Sequence, residues 1–508
     1  MSGLLEPALS GFEVVFTWSN LLSCLLGVVL GMVVGVLPGL GPVATISILL
    51  PITYTMSPES GVILLAGIFY GAQYGGTITS VLLRLPGEAS TVVTTFDGYQ
   101  MARQGRAGTA LGIAALGSFL GGTAAIIGLT FLAPVLAGFA LDFGPPEYAV
   151  LAVIGISLVA GLGSGSRTKC CIAALVGLLL ATVGRDPIIA TERFTFGNLA
   201  LSDGLDFVPV AMGLFGLGEI LHNLQTRERP PAVGSVGGVW PRMRDWVLAR
   251  AAIARGAVVG FVLGILPGGG ATMASMVSYA YEKRRAKHPE KFGKGAIQGV
   301  AAPETANNAA ATSSFIPLLT LGIPANPTMA LMFAALLLQG ITPGPALISE
   351  HPDVFWGVID SMYVGNVFLL LMSIPLVGLF VRILRVRATV LAPVTVAILM
   401  LGAYTVNNSL ADMFVVIAFG VLGALMKKFG FEPGPLVLAF VLGSLVETSF
   451  RQSLRIFDGD LTGFVTRPIS GTLLAAFVVL VVLLPAVRAV RLARRRAPEP
   501  TGTSVGAD

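Results

Sequence analysis

The sequence contains few charged residues for its length. Only 12% of its 508 residues are Asp, Glu, Lys or Arg, and 54% are hydrophobic, whereas soluble proteins carry about 25% charged residues. Charged residues are absent from the stretches 14–58, 107–141, 256–281, 305–349, 361–381, 388–411 and 468–487. Because a helix needs about 20 apolar residues to cross the hydrocarbon core of a bilayer, most of these stretches are long enough to span a membrane. This composition excludes a disordered chain and argues against a soluble enzyme.

Cysteine and histidine are also scarce, with three of each. The cysteines lie in apolar segments and predict no disulfide framework. The histidines, His222, His288 and His351, are far apart in predicted loops and match neither zinc-ligand spacing nor a nucleophile elbow. No phosphate-binding loop is present, and no nucleic-acid-binding module accompanies the net charge of +5. We therefore expect a protein that is not an enzyme, binds no cofactor and has no nucleic-acid partner.

Most Lys and Arg residues lie in clusters, as is typical of cytoplasmic loops of membrane proteins. The clusters lie at 227–255, 283–294, 382–387, 427–428 and 488–496. Following the chain between them predicts a cytoplasmic C-terminus. No Lys or Arg precedes Arg84, so the basic region of a cleaved signal peptide is missing, and we expect the N-terminus on the outer side.

Two segments of the chain are related to each other. GMVVGVLPGLG at 31–41 and GFVLGILPGGG at 260–270 are identical at seven of eleven positions, and LRLPGEAST at 83–91 resembles TLGIPANPT at 320–328 more loosely. Since one copy is expected to enter the membrane from outside and the other from inside, the repeats are predicted to be inverted, as in many secondary transporters. The predicted fold is an all-α polytopic membrane protein with about 10–12 transmembrane helices, including re-entrant or broken helices in two inverted repeats. We expect a first half at 1–224, a cytoplasmic linker at 225–249, a second half at 250–487, and a basic, then disordered tail at 488–508.

The Pro-Gly pairs predict interrupted helices. Proline removes a backbone donor and glycine permits unusual backbone, so a helix broken there presents N–H groups that attract carboxylates and carbonyl groups that attract cations. Such a break persists in a membrane only against protein or a water-filled cavity. The alternative is a kinked helix that packs through small residues. The candidate substrate-binding residues at the breaks and on the hydroxyl-rich segment nearby are Pro38, Gly39, Gly41, Gly75, Gly76, Thr77, Thr79, Ser80, Arg84, Pro86, Gly87, Pro267, Gly268, Gly270, Pro324 and Asn326.

Two polar features suggest roles for charged residues. Arg84 either pairs with an anionic substrate or forms a salt bridge with Glu88, or else it extends to the membrane surface. Glu304, Asn307 and Asn308 follow i, i+3, i+4 spacing in an alanine-rich segment, so a helix presents them on one face. They are candidates for ion coupling, with Asn307 and Asn308 offering oxygen ligands to sodium and Glu304 alternatively carrying a proton; the other interpretation is hydrogen bonding between helices.

At these motifs the sequence strongly resembles the large membrane subunit of tripartite tricarboxylate transporters. The resemblance covers nearly the whole chain. It rests on GVLPGLGP at 35–42, GIFYGAQYGGTITSVLLRLPGEAS at 67–90, DGYQMARQGRAG at 97–108, GILPGGGATMASMVSYAYEKR at 264–284, KHPEKFGKGAIQGVAAPETANNAA at 287–310, LGIP at 321–324, GITPGP at 340–345 and NNSLADMFV at 407–415.

The resemblance implies a permease of the bacterial inner membrane. It would act with a small membrane subunit and a periplasmic solute-binding protein that delivers citrate or another organic carboxylate, and a Na⁺ or H⁺ gradient would drive uptake by an elevator or rocking movement. The chain departs from the family pattern at Arg84, at Ala325–Asn326 and at Gln298, where relatives carry Asn, Gly-Ser and Glu. We therefore expect a carboxylate other than citrate at least as strongly as citrate itself. A carrier or channel that needs no binding protein is the alternative.

Overall fold

The computed structural model describes residues 2–37, 41–162, 166–198, 201–225, 238, 240–373, 375–376, 379 and 388–479. Nearly all regular structure in these ranges is helical. The first half of the chain forms α1 (Ser2–Val15), α2 (Trp18–Val36), α3 (Pro42–Thr53), α4 (Pro58–Leu83), α5 (Thr94–Arg103), α6 (Ala107–Ala140), α7 (Pro145–Leu162), α8 (Arg167–Leu180), α9 (Phe207–Ala211), a π-helical segment (Met212–Leu217) and α10 (Gly218–Gln225).

The second half begins with α11. Its helices are α11 (Met243–Ile265), α12 (Gly270–Arg285), α13 (Gln298–Ser313), α14 (Phe315–Leu321), α15 (Pro327–Leu338), α16 (Leu347–Glu350), α17 (Pro352–Ser373), α18 (Ala388–Asn407), α19 (Leu410–Lys428), α20 (Pro433–Ile456), α21 (Gly463–Thr466) and α22 (Pro468–Val478). Short 3₁₀ turns cover Ala89–Thr91 and Pro289–Lys291. A two-stranded antiparallel hairpin, β1 (Gly184–Arg185) and β2 (Glu192–Arg193), lies between α8 and α9.

Many of these helices have the length and composition of membrane spans. In the described ranges, eight are long and apolar enough to cross a bilayer: Trp18–Val36, Pro58–Leu83, Ala107–Ala140, Phe207–Leu224, Met243–Ile265, Pro352–Ser373, Leu410–Lys428 and Pro433–Ile456. Shorter apolar helices accompany them, including Pro42–Thr53 and Pro327–Leu338. These observations confirm the predicted all-α polytopic membrane fold.

Glycine allows two pairs of helices to approach closely. In the first half, Gly27, Gly31 and Gly35 of α2 face α4, where a Cβ on Gly31 would lie 2.9 Å from the Cα of Gly71. In the second half, the corresponding Gly256, Gly260 and Gly264 of α11 face α13. A Cβ on Gly260 would lie 2.8 Å from the Cα of Ala306. Since small residues are what permits close packing of membrane helices, the related segments build the same kind of helix pair in both halves.

The chain divides into two compact units. The larger consists of Met1–Asp142 and Gly155–Ser444, and the smaller of Phe143–Ile154 and the residues from Leu445 onward. Within the smaller unit, Ala149, Val150 and Phe464 form an apolar cluster, and Arg467 pairs with the buried Glu147 at 3.1 Å. Residues 226–237 and 239 of the predicted linker at 225–249, and the whole predicted tail at 488–508, lie outside the described residues, and the domain boundaries at 224 and 250 stay predictions.

Candidate functional site

Both predicted interruptions separate two helices. In the first, α2 ends at Val36 and α3 begins at Pro42, with Gly41 as the residue before α3. Pro38 and Gly39, which were expected to line this break, lie outside the described residues. In the second, α11 ends at Ile265 and α12 begins at Gly270, so Pro267 and Gly268 lie between the two helices. Gly268 and Gly270 have φ values of +78° and +53°, a region that glycine adopts without the steric cost of a Cβ.

Each half brings a break region next to its second proline loop. In the first half, Gly87 is buried so closely against α2 that a Cβ would collide with the carbonyl oxygen of Gly35. In the second half, the N–H of Gly268 donates to the carbonyl oxygen of Ala325 at 2.8 Å, so this amide is engaged within the protein. Pro86 is exposed, whereas Pro324 is buried. Asn326 caps α15, its Oδ1 accepting the N–H of Met329 at 3.0 Å.

The hydroxyl-rich segment of α4 is entirely buried. Gly75 packs against α2, where a Cβ would lie 3.0 Å from the Cα of Gly35, and Gly76 faces Glu88. Thr79 bonds back to its own helix at the carbonyl of Gly76 (3.1 Å). The Ser80 hydroxyl donates to Thr91 Oγ1 at 2.8 Å. These contacts lock α4 to the loop that follows it and account for the small and hydroxylated residues at these positions.

In the described part of the chain Arg84 forms no salt bridge with Glu88, while pairing with a substrate and extension to the membrane surface stay predictions. It ends α4 in left-handed conformation (φ +59°) and is exposed. Its guanidinium carbon lies 6.0 Å from the centroid of the Tyr99 ring, within the range of a cation–π contact. Glu88 turns instead toward Ser90, whose N–H donates to Glu88 Oε2 at 2.9 Å. Arg84 therefore remains available to an anionic ligand.

A fully buried carboxyl group lies between the two halves of the chain. Glu304 of α13 has no exposed surface, and its two oxygens accept hydroxyl groups from different helices of the first half. Thr77 of α4 donates to Oε2 at 2.5 Å, and Thr94 of α5 donates to Oε1. The Asn307 amide, one turn further along α13, reaches Oε2 at 3.3 Å. The i, i+3, i+4 prediction thus placed three side chains correctly on one face.

The two asparagines form a chain of hydrogen bonds. Asn308 Nδ2 lies 2.7 Å from Asn307 Oδ1 and 2.8 Å from the hydroxyl oxygen of Ser118 on α6. Ser118 in turn donates to the backbone carbonyl of Glu304 at 3.2 Å. Because amide and hydroxyl oxygens meet here beside a carboxyl group, the arrangement has the hard oxygen atoms that small cations bind.

The charge of Glu304 has no counterpart among its contacts. In the described ranges, all of its side-chain partners are neutral hydroxyl or amide groups, and no group of three or more His, Cys, Asp or Glu side chains is arranged to hold a metal ion. An ionised carboxylate removed from water is costly unless it is paired. Such a group can balance its charge only by carrying a proton or by binding a cation.

A buried amide donor lies next to this cluster on α4. Gln73 is fully buried, and its Oε1 lies 2.5 Å from the Ser90 hydroxyl. Its Nε2 has no hydrogen-bond partner in the part of the chain that the structure describes. A buried donor without a hydrogen bond costs about 1–3 kcal/mol. Binding of a ligand or water oxygen to this nitrogen would therefore be favourable.

A second carboxylate anchors the loop that leads into α13. Asp97 of α5 is fully buried, and its Oδ1 accepts the N–H groups of Gly293, Gly295 and Ala296 at 2.9, 2.8 and 2.7 Å. Gly293 and Gly295 have positive φ (+83° and +101°), so the N–H groups converge as an anion-binding nest. This bridge fixes the helix that carries Glu304 relative to α5.

The sequence prediction missed several members of the site. Thr94, Ser118, Gln73 and Asp97 were not chosen as candidates. Asp97 opens the DGYQMARQGRAG motif and Gln73 interrupts a hydrophobic segment, which were usable signals. Thr94 and Ser118 lie in segments that read as ordinary apolar or small-residue helix, so no local pattern distinguishes them.

Comparison with known proteins agrees with this architecture. Residues 21–438 match the tripartite tricarboxylate transporter TctA family. A relative in Agrobacterium vitis, named "Uncharacterized 52.8 kDa protein in TAR-I ttuC' 3'region", is 49% identical over 494 residues, which cover 97% of this chain and 98% of the relative. A second one from the same organism, named "Uncharacterized protein in TAR-II ttuC' 3'region", is 50% identical over 234 residues, 46% of this chain and 97% of the relative. No solved structure matches. The chain belongs to the tripartite tricarboxylate transporter TctA family, whose members are multi-pass membrane transporters and not enzymes.

Proposed function

We propose that this chain is the permease of an ion-gradient-driven uptake system for organic carboxylates in the bacterial inner membrane, with a cytoplasmic C-terminus. It would work with a periplasmic solute-binding protein and a small membrane subunit, as its family implies. The observation that carries the coupling proposal is Glu304, which is fully buried and contacted only by neutral donors within the described residues. A Na⁺ ion or a proton would neutralise this carboxylate, with Asn307 and Asn308 as further ligands for Na⁺.

The substrate is proposed to bind where the breaks and the proline loops approach each other. Gly41 precedes the N-terminus of α3, and Gly268 and Gly270 precede and open α12. The partial positive charge of helix N-termini favours carboxylate groups at these places. Arg84 and the unpartnered Nε2 of Gln73 would supply side-chain donors. Arg84 and Asn326 also depart from the pattern that the family resemblance implies, which favours a carboxylate other than citrate as the substrate.

Reconstitution of the permease with its two proposed partners tests this function. Proteoliposomes should accumulate a labelled carboxylate from a panel that includes citrate only under an imposed Na⁺ or H⁺ gradient. Equilibration that is independent of any gradient would contradict ion coupling. Full activity without the binding protein would favour a stand-alone carrier or channel.

The Glu304→Gln variant tests the residue assignment. Glutamine keeps the shape and can accept one of the two threonine hydroxyl groups at its oxygen while its amide nitrogen donates to the other, but it has no charge to balance. We expect accumulation to fall at least tenfold, about 1.4 kcal/mol or more in coupling free energy, while exchange of substrate across the membrane continues. Glu350→Gln, the same change at an exposed carboxyl group on α16, is the matched control. Normal accumulation by Glu304→Gln would refute the role of Glu304.

A further inference from the structure

A second buried carboxyl group lies in α17, outside the site described above. Asp360 is only 1% exposed, although α17 has the length and composition of a membrane span. Its Oδ2 is buried and has no hydrogen-bond partner among the described residues. Ionisable groups within membrane helices are rare because they are costly, and those that occur usually mark ion or proton pathways. The position therefore calls for a ligand or a proton.

The N-terminal helix α1 covers this carboxyl group. Gly11 of α1 lies so close that a Cβ there would collide with Asp360 Oδ2 and would lie 2.7 Å from the Cβ of Trp356. On the α17 side, a Cβ on Gly357 would lie 3.1 Å from Val14. The two helices meet through these glycines, and a shift of α1 away from α17 would uncover Asp360.

In the part of the chain that the structure describes, the helices that pack most extensively against α17 carry no Lys, Arg or His. These helices are α1, α2, α4, α6 and α16, and none of them contains Lys, Arg or His within its bounds. The titratable groups on α17 and these helices are the phenols of Tyr70, Tyr74 and Tyr363, the thiol of Cys24, and the carboxyl groups of Glu6, Glu13, Glu59, Glu350 and Asp353. Each is neutral or negative, so none of these groups can stabilise an ionised Asp360.

From this geometry we propose that Asp360 is a proton-binding site, protonated while α1 covers it and deprotonated when α1 moves and water reaches it. The proton comes from bulk water on one side of the membrane and returns to bulk water on the other, with no other bond made or broken. Neutral Asp360 fits the observed enclosure because a protonated carboxyl group has no charge to desolvate.

Hydrogen bonds connect α17 to the Glu304 cluster. Asn366 lies six residues after Asp360, about 9 Å along the helix, and its Oδ1 accepts the Tyr74 hydroxyl of α4 at 3.0 Å. Tyr74 is one turn before Thr77, which donates to Glu304. These contacts link the helix that carries Asp360 to α4, whose Thr77 holds Glu304, so a change at Asp360 that is transmitted along α17 would reach the Glu304 cluster. The inference rests on the proposed function in this one respect, that the chain transports a substrate.

Infrared titration of the purified full-length chain in lipid nanodiscs tests the site without a substrate. We expect the wild-type protein to show a carboxylic acid C=O band that is absent from Asp360→Asn and retained in Asp353→Asn, the same change at an exposed position of α17. Identical bands in wild type and Asp360→Asn over the whole titration would overturn the proposal.

The cover supplied by α1 is tested by Gly11→Val. This change pushes α1 away from Asp360, so the C=O band should disappear at lower pH than in wild type. Gly138→Val, where an added Cβ meets open space, should leave the titration unchanged. An unchanged titration in Gly11→Val would refute the covering role of α1.

A transport assay then distinguishes a failure of this inference from a failure of the proposed function. In proteoliposomes with the partner subunits, Asp360→Asn should lose pH-gradient-driven accumulation of the labelled carboxylate at least tenfold but keep substrate exchange. Accumulation at the wild-type level would overturn the role of Asp360 in coupling. Failure of the wild-type protein to transport any carboxylate would instead reject the proposed function and leave the infrared result to decide the proton site.

Discussion

Replacing Asp97 with alanine is expected to loosen the loop that leads into α13. Three backbone N–H groups converge on one oxygen of this buried carboxylate, and the Tyr279 hydroxyl donates to the other at 2.9 Å. Burial, and secondarily the Asp97 carboxylate itself, raise the pKa of Tyr279 above its usual value, so the phenol stays protonated and keeps donating.

The magnitude follows from the number and kind of bonds removed. A hydrogen bond to a charged group contributes about 1.5–3 kcal/mol, and a donor that is left buried without an acceptor adds a desolvation cost. Allowing for partial hydration of the loop, we expect Asp97→Ala to lower the free energy of local opening by about 3 kcal/mol, which is roughly a hundredfold in the opening equilibrium. Asp97→Asn keeps an oxygen acceptor but loses the charge, and since neutral bonds are about half as strong, roughly a tenfold effect is expected.

Hydrogen exchange of the peptide that spans residues 289–298 measures this opening directly. The exchange rate should rise in the order wild type, Asp97→Asn, Asp97→Ala. Gln104→Ala serves as the control, because its Nε2 holds the same loop at the Lys294 carbonyl (2.9 Å) from an exposed position and should change the rate only slightly. Wild-type exchange in Asp97→Ala would show that the nest does not hold the loop.

Three further substitutions test the helix breaks and the packing between helices. Gly260→Leu should lower the free energy of unfolding by about 1–3 kcal/mol or more, because the added side chain collides with the α13 backbone. Thermal unfolding measures this loss, with Gly138→Leu, at an open position, as the control. Gly268→Leu should abolish transport although the protein still inserts into the membrane, since left-handed backbone at a non-glycine residue costs about 1–3 kcal/mol. Gly39→Leu is also predicted to stop transport. Wild-type uptake by either variant would contradict the role of that break. Asn307→Ala should remove the ion dependence of uptake, and an unchanged response to Na⁺ and pH would exclude Asn307 from the ion site.

Sequence patterns were enough to predict the membrane class, the interrupted helices and part of the site. Uncharged stretches indicate the lengths of membrane helices, and Pro-Gly pairs indicate where helices are interrupted, because hydrophobicity and backbone conformation depend on residues that are close in the chain. The i, i+3, i+4 spacing likewise brought Glu304, Asn307 and Asn308 onto one face. The roles of Gly75 and Gly87 were not readable in this way, since each depends on how close α2 lies.

The sequence alone therefore determined that this is a polytopic helical membrane protein, because hydrophobicity, helix breaks and spacing are local properties, and the resemblance of its motifs indicated the transporter family. The tertiary structure decided which polar groups meet. Thr77 and Thr94 reach Glu304 across more than 200 residues of chain, Asp97 captures a loop almost 200 residues away, and Gly11 covers Asp360. Such pairings arise from close packing of helices through small residues, and no pattern within a single helix records which neighbour it will have.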